Sequence, residues 1–240
     1  MAVLKAIDLH KSYGDKKVVN GVTVEVKSGE IVGLLGPNGA GKTTTFYMIM
    51  GEVKPDRGRI LLDDVEITDK PMYQRARLGI SYLPQEPSVF QRLTVFDNVF
   101  AILEYRGVPK NEATAIAERY LKMMEIYHLK DQLAYTLSGG ERRRLEVARA
   151  LSLNPKILLL DEPFTGVDPK TRQEIQDIIL SLKDMNIGVL ITDHNVRETL
   201  EITDRAYIIY KGEILIEGSS YELINNEEAR KIYLGERFRL

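Results

Sequence analysis

The chain has 240 residues, 33 of them basic and 35 acidic, for a net charge of −2; 44% are hydrophobic and 28% charged. This is the size and balance of one sizeable folded α/β domain, and nothing in it suggests a global electrostatic grip on nucleic acid. The sequence has no cysteine, which excludes disulfides, thiolate metal sites and cysteine nucleophiles.

The N-terminal stretch MAVLKAIDLHKSYGDKK lacks the unbroken apolar core of a signal peptide. Residues 3–9 (VLKAIDL) and 22–26 (VTVEV) alternate in polarity and read as half-exposed strands. IVGLL (31–35) is apolar throughout and reads as a buried strand entering a glycine-rich loop, GPNGAGKTT (36–44), which opens a helix over about 41–50. GRILLDD (58–64) and GISYLPQ (79–85) return as strands. From about 86 to 153 strand signals fade, and VFDNVFAILEYRG, NEATAIAERYLKMMEIY and GGERRRLEVARALSL carry helical spacing. Strands resume at KILLLDEP (156–163), IGVLITD (187–193), RAYIIYKG and EILIEG, with helices at 170–184 and 195–202 between them. The expected organisation is one domain. Its α/β core spans 1–85 and 154–219, a helical subdomain of 86–153 is inserted, and 220–240 form a tail of one or two short helices. The longest apolar runs, such as ILLL at 157–160, are far too short to span a bilayer. Work at a membrane would therefore go through a partner that crosses it.

Gly36, Gly41, Lys42 and Thr43 fit G-x-x-x-x-G-K-[ST] between a buried strand and a helix, the context that supports a phosphate-binding loop. Glycines let successive N–H groups turn inward as an anion nest, and the helix N-terminus adds its positive dipole end. Lys42 can reach the β- and γ-phosphates of a nucleotide, and the Thr43 hydroxyl can sit on Mg²⁺. The cradle comprises Gly36, Pro37, Asn38, Gly39, Ala40, Gly41, Lys42, Thr43 and Thr44. Further on, four apolar residues deliver Asp161 and Glu162 to a strand end, where ligands sit in open α/β sheets. Asp161 is suited to hold Mg²⁺ and Glu162 to polarise an attacking water. As neighbours on a strand, their side chains are expected to point opposite ways.

A second glycine-rich helix start follows at LSGGERRRLEVARAL (137–151). Ser138, Gly139 and Gly140 open a helix, so their N–H groups also face an anion, and Glu141 can complete a capping box with Ser138. Two cradles on one chain suit a two-fold dimer in which each interface takes one cradle from each copy and two ATP are buried.

The phosphate-binding loop, LSGGE and LLLDEP, in this order and spacing, make the chain similar to the nucleotide-binding subunits of ABC transporters across nearly its whole length. The resemblance implies an ATPase fold. Its parts are a P-loop core of RecA-like type, an N-terminal antiparallel β-subdomain and an inserted α-helical subdomain. It also implies that Ser138, Gly139 and Gly140 cap the γ-phosphate of ATP held by a second copy. Tyr13 in KSYGDKK matches the aromatic that stacks on adenine. Gln85 in YLPQE matches the glutamine that touches Mg²⁺ and water, and His194 in ITDHN the histidine that contacts the γ-phosphate. Asp168 in GVDP matches the residue that crosses the dimer interface. ATP and Mg²⁺ are the implied cofactors, and there is no HExxH motif.

The region 86–100 is where such subunits usually face their two membrane partners. Phe90, Leu93, Phe96 and Val99 have helix-compatible spacing, and Phe90, ahead of the helix, is placed to line a groove for a partner's coupling helix. The run Arg142–Arg144 is expected to fan around its helix as a solvated face or as subunit contacts rather than as a nucleic-acid stripe. His10 and His128 are expected at the surface. Within the family, DHNVRETL together with the closing YLGERFRL resembles the lipopolysaccharide-export ATPases, with Gln91 where a basic residue is common. Branched-chain amino-acid importer ATPases are the alternative. Translation or DNA-repair ATPases are a more distant one, since this chain has neither a second cassette nor a long heptad insert.

Overall fold

The computed structural model describes residues 1–235 and 238; positions 236, 237, 239 and 240, and with them half of the closing YLGERFRL stretch, lie outside the described residues. Two sheets organise the chain. The first is antiparallel, ordered β2-β1-β4-β5, from β1 (Val3–Tyr13), β2 (Lys16–Lys27), β4 (Arg57–Leu62) and β5 (Val65–Glu66). The second is ordered β10-β9-β3-β8-β7-β6, from β3 (Ile31–Leu35), β6 (Ile80–Leu83), β7 (Ile157–Asp161), β8 (Gly188–Thr192), β9 (Arg205–Tyr210) and β10 (Glu213–Gly218). Its strands β9, β3, β8, β7 and β6 run parallel, and β10 returns antiparallel.

Strands β3, β7 and β8 are buried along their whole length, as unbroken apolar runs inside a parallel sheet should be. Their alternate residues feed two different cores. Ile157 and Leu159 pack toward the antiparallel sheet with Leu4, Val24, Phe46 and Ile60. Leu158 and Leu160 pack toward the helices with Val99, Leu121, Leu145 and Ile175.

Strand β1 runs four residues past the alternating stretch, so Tyr13 ends a strand. The reason is a register shift between Ala6 and Leu9, with Asp8 at φ 50°, which breaks the alternation and hides the strand's second half.

Helix α1 (Lys42–Met50) follows the glycine loop. The short helix α2 (Met72–Leu78) carries no apolar stripe, and its only buried residue is Arg75. That guanidinium donates to Met48 O (2.8 Å) and Ile49 O (2.6 Å) at the end of α1, and to Thr68 O (2.9 Å) and Lys70 O (2.8 Å). It closes carbonyls that the end of α1 leaves open and lies at the favourable pole of that helix. Burial lowers its pKa to about 10, so it stays charged at neutral pH. Arg75→Met is expected to cost about 2–5 kcal/mol of stability, because the buried Met48 and Ile49 carbonyls both lose the guanidinium donor. The denaturant midpoint reads this out, and a change below about 0.5 kcal/mol, the scale of an ordinary surface substitution, would remove Arg75 from the frame.

The helical insert contains α3 (Val95–Tyr105), capped by Thr94, α4 (Lys110–Met123) and α5 (Gly139–Ser152). Helices α6 (Pro169–Asp184) and α7 (Val196–Ile202) follow β7 and β8. The tail forms α8 (Ser220–Asn225), α9 (Glu227–Ala229) and a π-helical turn over Arg230–Leu234. The arginine run on α5 fans around the axis but is not a solvated face. Arg142 donates to Leu137 O, Arg143 is buried against Glu146, and Arg144 bridges Glu125 and Glu174. Arginine's long stem lets its charge reach acceptors inside the chain, which helical spacing alone does not reveal. His128 is exposed, and His10 is partly exposed with Nε2 2.9 Å from Asp8.

Candidate nucleotide site

Strands β3, β8, β7 and β6 lie side by side and parallel, so their C-terminal ends meet along one edge of the sheet. Beyond β3 comes the loop Gly36–Gly41. Gly36 has φ 148° and a Cβ there would lie 2.2 Å from Ile209 O; Gly41 has φ 107° and its Cβ would lie 2.6 Å from Val18 O. Both positions admit only glycine, for backbone shape and for space. Lys42 is buried, and its ammonium donates to Gly36 O (2.6 Å) and Pro37 O (3.1 Å), within the loop itself. Burial lowers its pKa, and the nearby Glu162 charge opposes that. Asn38, Gly39 and Thr43 are exposed, Pro37 and Thr44 partly so, and Ala40 is buried.

At the end of β7, Asp161 is buried and accepts from Thr192 Oγ1 of β8 at 2.8 Å, with the Tyr82 hydroxyl of β6 nearby. Burial raises its pKa, while these two hydroxyls lower it. Burial, then the Asp161 charge, raises the Tyr82 phenol. Among the described residues no lysine or arginine pairs with Asp161.

Glu162 does not continue the strand's alternation. It has φ 44°, a left-handed position that costs a non-glycine residue of order 1–3 kcal/mol. Its N–H donates to Thr192 O (2.7 Å), which holds the turn. The turn brings Glu162 Oε1 within 2.6 Å of His194 Nε2, and Oε2 accepts from Thr165 Oγ1 at 3.2 Å.

Asp193, which the motif reading passed over, is fully buried between these turns. It accepts from Phe164 N (2.9 Å), Asn195 N (2.7 Å) and Asn195 Nδ2 (3.0 Å). It thereby ties the turn carrying Glu162 to the turn carrying His194. Its one sequence signal is an aspartate directly after a buried apolar strand, in ITDHN. Gln85 lies two residues past β6, exposed, and among the described residues its side-chain amide has no hydrogen-bond partner. Tyr13 is 52% exposed at the closed end of the β1–β2 hairpin, whose Val18 contacts the loop at Gly41.

Ser138, Gly139, Gly140 and Asp168 stand apart. They line a concavity of about 510 Å³ that none of residues 36–44 enters. Ser138 and Glu141 form the capping box, with Glu141 Oε2 accepting from Ser138 N at 2.8 Å. A Cβ at Gly139 would meet nothing within 4 Å, although glycine costs a helix about 1 kcal/mol relative to alanine. Packing within the chain therefore does not require that glycine. Asp168 caps α6 through Lys170 N (3.0 Å) and Thr171 N (3.1 Å).

A glycine-rich loop at a helix start and a carboxylate–imidazole pair on one edge of a parallel sheet define a nucleotide-hydrolysing cassette. The chain belongs to the ABC transporter family, whose model matches residues 19–165. It is 52% identical over 241 residues, covering 100% of both chains, to "Lipopolysaccharide export system ATP-binding protein LptB" of Haemophilus influenzae. The protein of the same name from Escherichia coli strain K12 is also 52% identical, with the same coverage. The solved structure of a nucleotide-free ATP-binding cassette from an ABC transporter superposes with a TM-score of 0.86 at 31% identity, over 98% of this chain and 100% of its own. The chain is thus the ATP-binding and ATP-hydrolysing subunit of an ABC transporter. No helix among the described residues is long and apolar enough to cross a membrane.

Proposed function

We propose that this subunit powers export of a lipopolysaccharide-type lipid, as a homodimer that closes on two ATP and reopens on hydrolysis. The full-length similarity to lipopolysaccharide-export ATPases supports the cargo class. The observation that carries the dimer is the separation of the two helix-start cradles: the Ser138–Gly140 concavity contains no residue of its own chain's phosphate loop. A second copy, related by a two-fold axis, would bring its nucleotide there, with Asp168 beside it.

The loop 36–44 cradles the phosphates, Lys42 exchanges its two loop carbonyls for phosphate oxygens, and Tyr13 offers an exposed ring to the base. The residues present fit Mg²⁺. Among the described residues Asp161 is a buried carboxylate with no lysine or arginine paired to it, and the Thr43 hydroxyl and Gln85 amide oxygen have no hydrogen-bond partner. Among the described residues no group of three His, Asp or Glu side chains could hold a metal alone. One carboxylate with hydroxyl, amide and phosphate oxygens is the usual magnesium arrangement. The ion, when bound, neutralises charge on the β- and γ-phosphates. Glu162 accepts a proton from the water as its oxygen bonds to the γ-phosphorus and the bond to the β–γ bridging oxygen breaks. His194, 2.6 Å away, holds that carboxylate in place.

Phe90 is the candidate contact for the membrane partners. It is 49% exposed, ahead of α3, with the Arg149 guanidinium 4.7 Å from its ring centre. The subunit is then peripheral on the cytoplasmic face of the inner membrane. The test is a gentle detergent pull-down of tagged Glu162→Gln with ATP from native membranes. Two multi-spanning proteins with large periplasmic parts are expected, and are expected to be lost in Phe90→Ala. Recovery of importer-type permeases would replace the lipid reading with an amino-acid importer, and ribosomal or DNA-bound partners would overturn transport.

A further inference from the structure

The segment between β6 and α3 carries both Gln85 and Phe90, and three side chains spaced three residues apart on one face of α5 hold it. Arg143 Nη1 donates to Pro84 O (2.9 Å) and to Glu146 Oε2 (3.0 Å). Glu146 Oε1 accepts from Ser88 N (2.7 Å). Arg149 Nη1 donates to Ser88 O (2.6 Å), and its guanidinium covers the Phe90 ring. Arg143 is 8% and Glu146 4% exposed. From the other side, fully buried Asn98 of α3 accepts from Phe90 N (2.8 Å) and donates to Phe90 O (3.0 Å). Between the held ends Gln85, Glu86 and Pro87 are exposed, and their side chains have no hydrogen-bond partner among the described residues.

We propose that Arg143, Glu146 and Arg149 are positioning residues for ATP hydrolysis. They form a strut that locks the Gln85 segment to α5, so that Gln85 and the Ser138–Gly140 helix start move as one body. This rests on the reading that Gln85 serves the nucleotide of its own chain and Ser138–Gly140 that of the partner copy. Without the strut, ordering an exposed loop residue at the phosphate costs backbone and side-chain entropy in each cycle. With it, Gln85 arrives positioned. The strut's effect on turnover therefore passes through Gln85.

The test is a double-mutant cycle on the purified full chain, with Arg149→Met and Gln85→Ala. Arg149→Met removes the bond to Ser88 O and the cation over Phe90 without stranding the buried Arg143–Glu146 pair, so the fold is kept. It is expected to lower kcat about 5–10-fold, the scale of one coupled contact, with KM for ATP unchanged. Arg149→Lys, which can still reach Ser88 O, should recover part of the loss. In the Gln85→Ala background, Arg149→Met should change kcat by less than about twofold, because the group it positions is gone. Equal losses in both backgrounds would overturn the strut while leaving the Gln85 assignment standing. A Gln85→Ala chain with unaltered turnover would remove that assignment, and the strut with it.

Discussion

Glu162→Gln is expected to turn over ATP about 10²- to 10⁴-fold more slowly than the parent chain, the reach of a lost general base, while still binding it. The substitution keeps size and shape. Glutamine's oxygen can still accept from Thr165 Oγ1, and the backbone bond from residue 162 to Thr192 O is untouched. A non-glycine residue already occupies the left-handed position, so the backbone cost is common to both chains. What is lost is a group able to take the water's proton. The measurement is phosphate release at saturating ATP beside nucleotide binding at equilibrium. Near-normal turnover in a clean preparation would remove Glu162 from the chemistry, and loss of binding would make its role structural.

Ser138→Arg should abolish ATPase activity and leave ATP binding by a single chain intact. The local cost is small: a lost N-cap is worth about 1 kcal/mol, and Gly139 beside it stands in open space. The arginine would instead fill the concavity it shares with Asp168. That concavity is where the partner's γ-phosphate is proposed to sit, so the damage falls on the other copy's nucleotide. Fluorescent-nucleotide titration at dilutions that keep the chain monomeric separates the cases. Weakened binding there would mean that the loop serves its own site.

Much of this site was legible because its parts are local. A strand, a glycine turn and a helix that follow one another without a gap are set by adjacent residues, and residues 31–50 contain the whole unit. The same holds for the capping box at Ser138–Glu141 and the apolar run that ends at Asp161. Less was legible where partners are distant in sequence. Asp193 joins Phe164 to Asn195, and no motif connects those positions. Arg75 sits in a helix without an apolar stripe and acts on α1, 26 and 27 residues earlier. The arginines of α5 look like a surface run because most of their acceptors lie far along the chain: Pro84 O for Arg143, Ser88 O for Arg149, and the Glu125 and Glu174 carboxylates for Arg144.

The sequence by itself determined the family and supplied the short contiguous runs from which the proposed ATP site is built, because each such run is encoded locally. Only the tertiary structure decided how those runs meet. The sheet order β3-β8-β7-β6 is not the chain order, and it sets the glycine loop, His194, Glu162 and Gln85 along one edge. The left-handed turn at Glu162 swings its carboxylate onto His194, against the alternation a strand would impose. The separation of Ser138 from the loop 36–44 likewise follows from where α5 packs, through long-range burial of Leu145, Ala148 and Leu151 that local spacing permits but does not specify.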